Sequence, residues 1–309
     1  MTNFGYACIN MTLSKEDVTT NRSMIRKTFD KKGLPYASEL ALKNCEDLLK
    51  ILRWNVENNI FFFRLSSNLF PWSSEYNLTD LKDFKKISSA LSIAGSFAKN
   101  NGIRITSHPG PFNKLCSSDD GVVKNTIKDL ETHGEVFDLI GLEKSPYAKI
   151  NIHVGATYGN KDATIKQFCK NFEKLTDSVK LRLTIENDDK ESMFSTKELC
   201  EGLHKYIGVS IVHDQHHHGF CDGGISQEDA MNMAFLTWSS KIKPVIHYSE
   251  SKQIEYADKR IKPQAHSDFV KNKINLYNLD VDVMIEAKMK ELSLKKYLIE
   301  HEGKYAGII

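Results

Sequence analysis

No uninterrupted apolar run in this chain approaches the roughly 20 residues that a membrane span needs, so no membrane-spanning helix is expected. There is no Cys-x-x-Cys pair. The six cysteines, Cys8, Cys45, Cys116, Cys169, Cys200 and Cys221, lie far apart, which excludes a disulfide framework or zinc ribbon and suits reduced, packed thiols. Charge of one sign is not in excess either: 42 Lys+Arg against 40 Asp+Glu leave a formal net charge of +2. That balance excludes a strongly basic nucleic-acid coat protein, but not an enzyme whose local basic rim or bound ions supply the field. The opening residues, MTNFGYACINMTLSKED, lack a basic stretch leading into an apolar core. No signal peptide is expected, and the setting is intracellular, cytoplasm or nucleus. Also missing is a Gly-rich phosphate loop after the first apolar segment, which argues against an open doubly wound sheet.

What the chain does have is a repeated alternation. Short apolar segments at 4–10, 61–67, 103–110, 149–155, 181–189, 209–217, 244–250 and 282–288 each end in polar or charged residues. Runs of that length bounded by turn chemistry fit buried parallel strands. Helical patterns fill the gaps at 38–58, 79–101, 122–140, 162–175, 226–239 and 289–301. Ser38 is a candidate cap for the first, Gly102 a terminator for the second, and Ser195-x-x-Glu198 has capping-box spacing. The polar connection 11–36 reads as a loop facing the substrate or the solvent. Strands alternating with helices predict an α/β fold, a (β/α)8 TIM barrel forming a single domain over residues 1–309.

Side chains alternate along a strand, so Arg104, Thr106 and His108 share a face against Ile103 and Ile105. The same phase joins Asn151 with His153, and Arg182 and Thr184 with Glu186; it also sets Asp214 against Ile211 and Glu286 against Ile285. This polar set is expected to line the barrel mouth, where the fold builds its sites. Asp214-x-x-His217 closes the 209–217 segment, and His108, His153, Glu186, His247 and Glu286 stand at other strand ends. With His266 they make a set of eight donors, Asp214 and His217 included. Carboxylate and neutral imidazole suit divalent zinc or manganese, and so many donors exceed what one ion takes. Two or three ions bridged by a carboxylate such as Glu186 would suit phosphodiester hydrolysis, with metal-assisted sugar isomerisation as the competing chemistry. His133, His204 and His301 fall in helical patterns and are expected at the surface. His213 should point towards the helices, while His216 and His218 flank His217 as candidate supporting donors.

These motifs resemble those of the UV damage endonuclease family. The residues that carry the likeness are Gly5-Tyr6 with Asn10, Arg64-Leu-Ser-Ser67, Ser107-His-Pro-Gly110, Asn151-Ile-His-Val-Gly155, Leu183-Thr-Ile-Glu-Asn-Asp188, Asp214-x-x-His217, His266-Ser-Asp268 and Met284-Ile-Glu-Ala-Lys288. They fall in the family's order from residue 5 to residue 288. The resemblance implies a barrel with two or three divalent ions, usually manganese, with zinc or magnesium as alternatives. It implies DNA repair by nucleotide excision, begun by nicking double-stranded DNA immediately 5′ of cyclobutane pyrimidine dimers, 6-4 photoproducts and some other lesions. An endonuclease IV-like abasic-site enzyme, related in fold, is the alternative, and a sugar isomerase a more distant one. A monomer without a membrane partner is expected.

Carried over residue by residue, the resemblance groups His108, His153 and Glu186 about one ion, Glu186, Asp214, His247 and Glu286 about a second, and His217 with His266 about a third. Asp268 is an added candidate beside the third. Glu186 and Lys288 are the implied catalytic residues, and Tyr6 and Asn10 match positions that contact DNA. The family follows His-Pro-Gly with Gln and an aromatic residue, whereas this chain has Pro111-Phe112. Phe112 keeps a face for stacking while the amide's hydrogen bonds are absent, which bears on lesion preference. Tyr158 and Lys161, with Phe70, Trp72 and Tyr76, are further candidates for stacking on bases or holding phosphates.

Overall fold

The structure, a computed structural model, describes residues 1–303; positions 304–309 of the expected domain lie outside the described residues. Its strands are β1 Phe4–Ala7, β2 Phe62–Leu65, β3 Arg104–Ser107, β4 Ile150–Ile152, β5 Leu183–Glu186, β6 Ser210–Asp214, β7 Val245–Tyr248 and β8 Asp282–Ile285. They follow chain order around a closed parallel barrel, as the alternation predicts. All of β1, β3, β5, β6 and β8 is buried, the polar Thr106, Thr184 and Asp214 included.

The residues group into two compact units, one of Met1–Ala7 with the chain from Ile185 onward, the other Cys8–Thr184. In the first, β1 pairs with β8 through Phe4↔Val283 and Tyr6↔Ile285, and β6 pairs with β7 so that Asp214 stands beside His247. In the second, β2 and β3 run in register from Phe62↔Arg104 to Leu65↔Ser107. Polar residues of the common phase fill a middle layer there, where the Thr184 hydroxyl donates to Asn151 Oδ1 at 2.7 Å.

Three expectations are corrected. The first long helix runs Arg26–Glu57, so most of the stretch 26–36 is helical rather than loop. Gly33, at φ 61° and ψ −159°, breaks the direction, and Pro35 is tolerated in the first turn after that break. Ser38 is therefore no cap. It is buried, and its hydroxyl donates to Asp83 Oδ2 at 2.9 Å. The next helix begins at Phe84, because Leu78–Asp80 closes separately as a 3-10 turn with an Asn77/Asp80 capping box.

The third correction concerns height on the strand. Arg104 and Arg182 share the phase of the site residues but stand at strand starts, at the opposite end from the mouth. Arg104 is fully buried and donates from Nε to Tyr147 O at 2.8 Å. Arg182, also fully buried, donates to the Leu142 and Glu143 carbonyls at 2.6 and 3.0 Å and pairs with Asp138 at 2.7 Å.

Ser195 and Glu198 form the expected capping box, and Asp119 caps the helix Asp120–Ile140, which stops at Gly141 with φ 81°. Where Phe84–Asn100 crosses Asp120–Ile140, a Cβ on Gly95 would lie 1.7 Å from Ile140 O. Only a glycine permits that approach.

Candidate metal centre

Glu186 ends β5, Asp214 ends β6, His247 lies in β7 and Glu286 follows β8, all within one compact unit. Glu186, Asp214 and His247 are buried. The Nδ1 of His247 is 2.9 Å from both Glu186 Oε2 and Glu286 Oε1. His217, in the turn Gln215–His218, places Nδ1 3.4 Å from Glu186 Oε1. Donor atoms of Glu186, Asp214 and His217 fall within 4.8 Å of one another, and so do those of Glu186, His247 and Glu286. Glu186 belongs to both sets.

Backbone geometry orients these groups. Asp214 acts as N-cap of the short helix, its Oδ1 accepting the His217 N–H at 2.8 Å. Its Oδ2 is buried and has no hydrogen-bond partner, which is costly for a carboxylate unless a cation answers it. Asn187 brackets the same residue, with Oδ1 accepting the Asp214 N–H at 2.7 Å and Nδ2 donating to Asp214 O at 3.1 Å. The Asn187 carbonyl accepts from His217 Nδ1 at 2.9 Å. His266 Nδ1 similarly donates to Glu286 O at 2.8 Å. A carbonyl can only accept, so both rings carry a proton on Nδ1, and Nε2 is the nitrogen left to meet a metal.

Burial works against a charged His217, but the Asp214 and Glu186 carboxylates, the Asn187 carbonyl and Glu286 outweigh it and raise the imidazole to about 9. The cluster thus has an excess of negative potential that a divalent cation would neutralise. His213 behaves oppositely: burial first, then His218 and His217, lower it to about 3. It faces the helices as expected, 2.8 Å from Thr196 Oγ1 and 3.2 Å from Gln227 Nε2. His216 Nε2 lies 3.1 Å from Gln264 O, and its ring meets His266 edge-on, so it supports that ligand candidate.

The other compact unit contributes His108 at the end of β3 and His153 after β4, with ring centroids 5.4 Å apart. His108 Nδ1 is 3.1 Å from Pro109 O, which again frees Nε2. In the same unit Phe112 is 67% exposed and Tyr158 60% exposed, the latter at φ 47° between Gly155 and Gly159. Lys161 begins the helix Lys161–Phe172. Trp72 and Phe112 line a cleft of about 490 Å³ with Phe70, Asn68 and Asn125.

Several candidates sit elsewhere than a substrate-facing role suggests. Tyr6 and Asn10 are fully buried, and Asn10 caps the turn Met11–Ser14 by accepting the Leu13 N–H. Tyr76 is buried with its hydroxyl on Pro71 O at 2.8 Å, so it packs the loop. Both Asp268 oxygens accept hydrogen bonds, from Lys252 Nζ at 2.7 Å and Tyr256 Oη at 2.6 Å, which hold its carboxyl below the usual range. Lys288 is exposed, with its N–H on Ser267 O. His133 is not a surface residue: its side chain is only 11% exposed and lies 4.0 Å from Asp129. Asn187 is the site residue that sequence reasoning passes over. Its one signal is its place directly after Glu186.

Comparison with known proteins bears on the family and the fold. A family described as UV-endonuclease UvdE matches residues 2–308. A UV DNA damage endonuclease of Clostridium perfringens is 30% identical over 94% of this chain and 69% of its own length. A UV-damage endonuclease of Schizosaccharomyces pombe is 35% identical over 93% of this chain, which spans 48% of that relative. The crystal structure of SacUVDE superposes with a TM-score of 0.83 at 31% identity, covering 97% of this chain and 99% of that one.

Proposed function

Since the chain belongs to the UV-endonuclease UvdE family, we propose that it is a metal-dependent endodeoxyribonuclease that cuts damaged double-stranded DNA immediately 5′ of ultraviolet photoproducts. The observation that carries this reading is the sharing of Glu186 between the Asp214–His217 and the His247–Glu286 donor sets. A shared carboxylate suits two or more divalent ions, manganese foremost. Bound there, such ions would activate a water and offset the charge that builds on the phosphoryl and leaving oxygens.

The chain's own residues do the positioning. Glu186, Asp214, His217, His247 and Glu286 would hold the ions, with His266 beside them; His108 and His153, with rings 5.4 Å apart, are further ligand candidates in the other unit. Asn187 locks Asp214 and His217, so the donors are set before substrate arrives. Lys288 meets a phosphate oxygen at the edge of the site. Phe112 and Tyr158 stack on bases displaced from the duplex, and Lys161 holds the adjoining backbone. Pro111 gives Phe112 no amide neighbour, so lesion choice rests on shape and stacking rather than hydrogen bonding.

The test is a nicking assay on a duplex with one cyclobutane dimer, using wild type and Glu186→Gln, with manganese and with chelator. A single cut 5′ of the dimer, abolished by chelation and in the variant, supports the reading. Cutting of an abasic duplex alone would instead favour the abasic-site alternative. Copurifying metal with no DNA cut would sink phosphodiester hydrolysis and turn attention to sugars.

A further inference from the structure

The helix Arg26–Glu57 starts with a short basic segment that none of the site chemistry uses. Gly33, in a backbone region that side chains other than glycine rarely enter, gives residues 26–32 a direction of their own. Arg26, Lys27, Lys31 and Lys32 are exposed there. Arg26 pairs with Asp30 at 2.8 Å and Glu75 at 3.0 Å, and Lys32 sits 3.9 Å above the Tyr36 ring. Lys27 and Lys31 have no acidic partner among the described residues. They are four residues apart, so they share one face about 6 Å apart along the axis.

That segment is fastened to the wall of the aromatic cleft. Phe29 stacks on Trp72 with centroids 5.8 Å apart, Arg26 lies 5.4 Å over the same indole, and the Trp72 Nε1–H donates to Met24 O at 2.9 Å. Ser23, Met24 and Trp72 line the cleft together with Asn68, which follows β2, and Gly110 and Phe112, which follow β3. The segment therefore stands beside the strand ends where Phe112 is presented, with Lys27 and Lys31 on the helix face turned away from Trp72 and exposed to solvent. We infer that residues 26–32 form a prong that grips the DNA phosphate backbone through Lys27 and Lys31, alongside the cleft that receives a displaced base. This rests on the DNA-nicking reading above. Two unpaired cations one helical turn apart fit successive phosphates of one strand, and the Arg26–Trp72–Phe29 stack keeps them from swinging away.

The experiment measures binding of the manganese-loaded full chain to a dimer-containing duplex across a range of salt concentrations. Wild type is compared with Lys27→Gln/Lys31→Gln and with a control, Lys166→Gln/Lys170→Gln, which removes two exposed lysines from the helix Lys161–Phe172. Removing one lysine–phosphate interaction should flatten the log–log salt slope by about 0.9. The prong variant is expected to show a slope shallower by nearly two and to bind roughly 10- to 50-fold more weakly at physiological salt, with the nicking rate at saturating DNA retained. The control should match wild type. A prong variant indistinguishable from the control, with wild type binding and nicking normally, overturns the prong and leaves the nuclease reading intact. If wild type itself neither binds nor cuts damaged duplex, the reading fails and the prong falls with it.

Discussion

Asp214 holds His217 with one oxygen and leaves the other free: Oδ1 takes the His217 N–H at 2.8 Å, while the buried Oδ2 has no hydrogen-bond partner. Asp214→Asn keeps the cap but removes the charge. Metal affinity should fall at least about 10- to 100-fold, with nicking falling alongside. In the metal-free protein the His217 imidazole, raised to about 9 in wild type, should titrate lower, because Asp214 is the main group raising it against burial. Histidine NMR titration and metal content check both. An unchanged His217 would refute the arrangement.

Asn187→Ala removes two hydrogen bonds to Asp214 without touching a donor atom. Metal affinity is expected to drop by about 10- to 100-fold, as for other supports of metal ligands, and excess manganese should restore much of the rate. Rescue that fails at high metal would mean that Asn187 serves folding alone.

Phe112→Ala should retain metal binding and weaken discrimination for damaged over intact duplex, by about 1–3 kcal/mol for one stacked base. Competitive binding with the two duplexes measures it. Gly110→Ala should act in the same direction, since its Cβ would lie 2.3 Å from the Phe112 ring and displace it.

Gly95→Ala is expected to destabilise the fold by about 3 kcal/mol, at the upper end for overpacking, because Ile140 O is backbone and cannot step aside. Urea denaturation reads this directly. The outcome concerns stability and leaves residual activity per folded molecule unchanged.

Burial lowers the His133 pKa below 6.5 despite the opposing pull of Asp129. The folded chain therefore refuses a proton that the unfolded chain accepts. Stability from this group is full above pH 6.5 and declines as the pH falls towards the folded value. His133→Gln should flatten that decline in denaturation midpoints measured between neutral and mildly acidic pH.

The barrel is legible because short apolar segments ending in polar or charged residues alternate with helical patterns, and period-two phase puts Glu186, Asp214 and Glu286 on one face. Phase names a face but not a height, so Arg104 and Arg182 read as mouth residues although they stand at the strand starts. The polar character of 11–36 reads as loop and hides the segment from Arg26, where the helix in fact runs on across Gly33 and Pro35. Tyr6, which the resemblance matches to a position that contacts DNA, is wholly covered. Asn187 escapes notice because its work is done by backbone and amide hydrogen bonds, which spacing does not encode.

Glu186 and Glu286 are a hundred residues apart in the chain, yet both reach the same nitrogen of His247 at 2.9 Å. The strand that precedes Glu286 pairs with β1, at the other end of the described chain. A nascent chain released or arrested before residue 286 lacks the second carboxylate of this pair. The pair of carboxylates around His247 is thus complete only once β8 has closed against β1, so this donor set forms with that strand pairing and not before it.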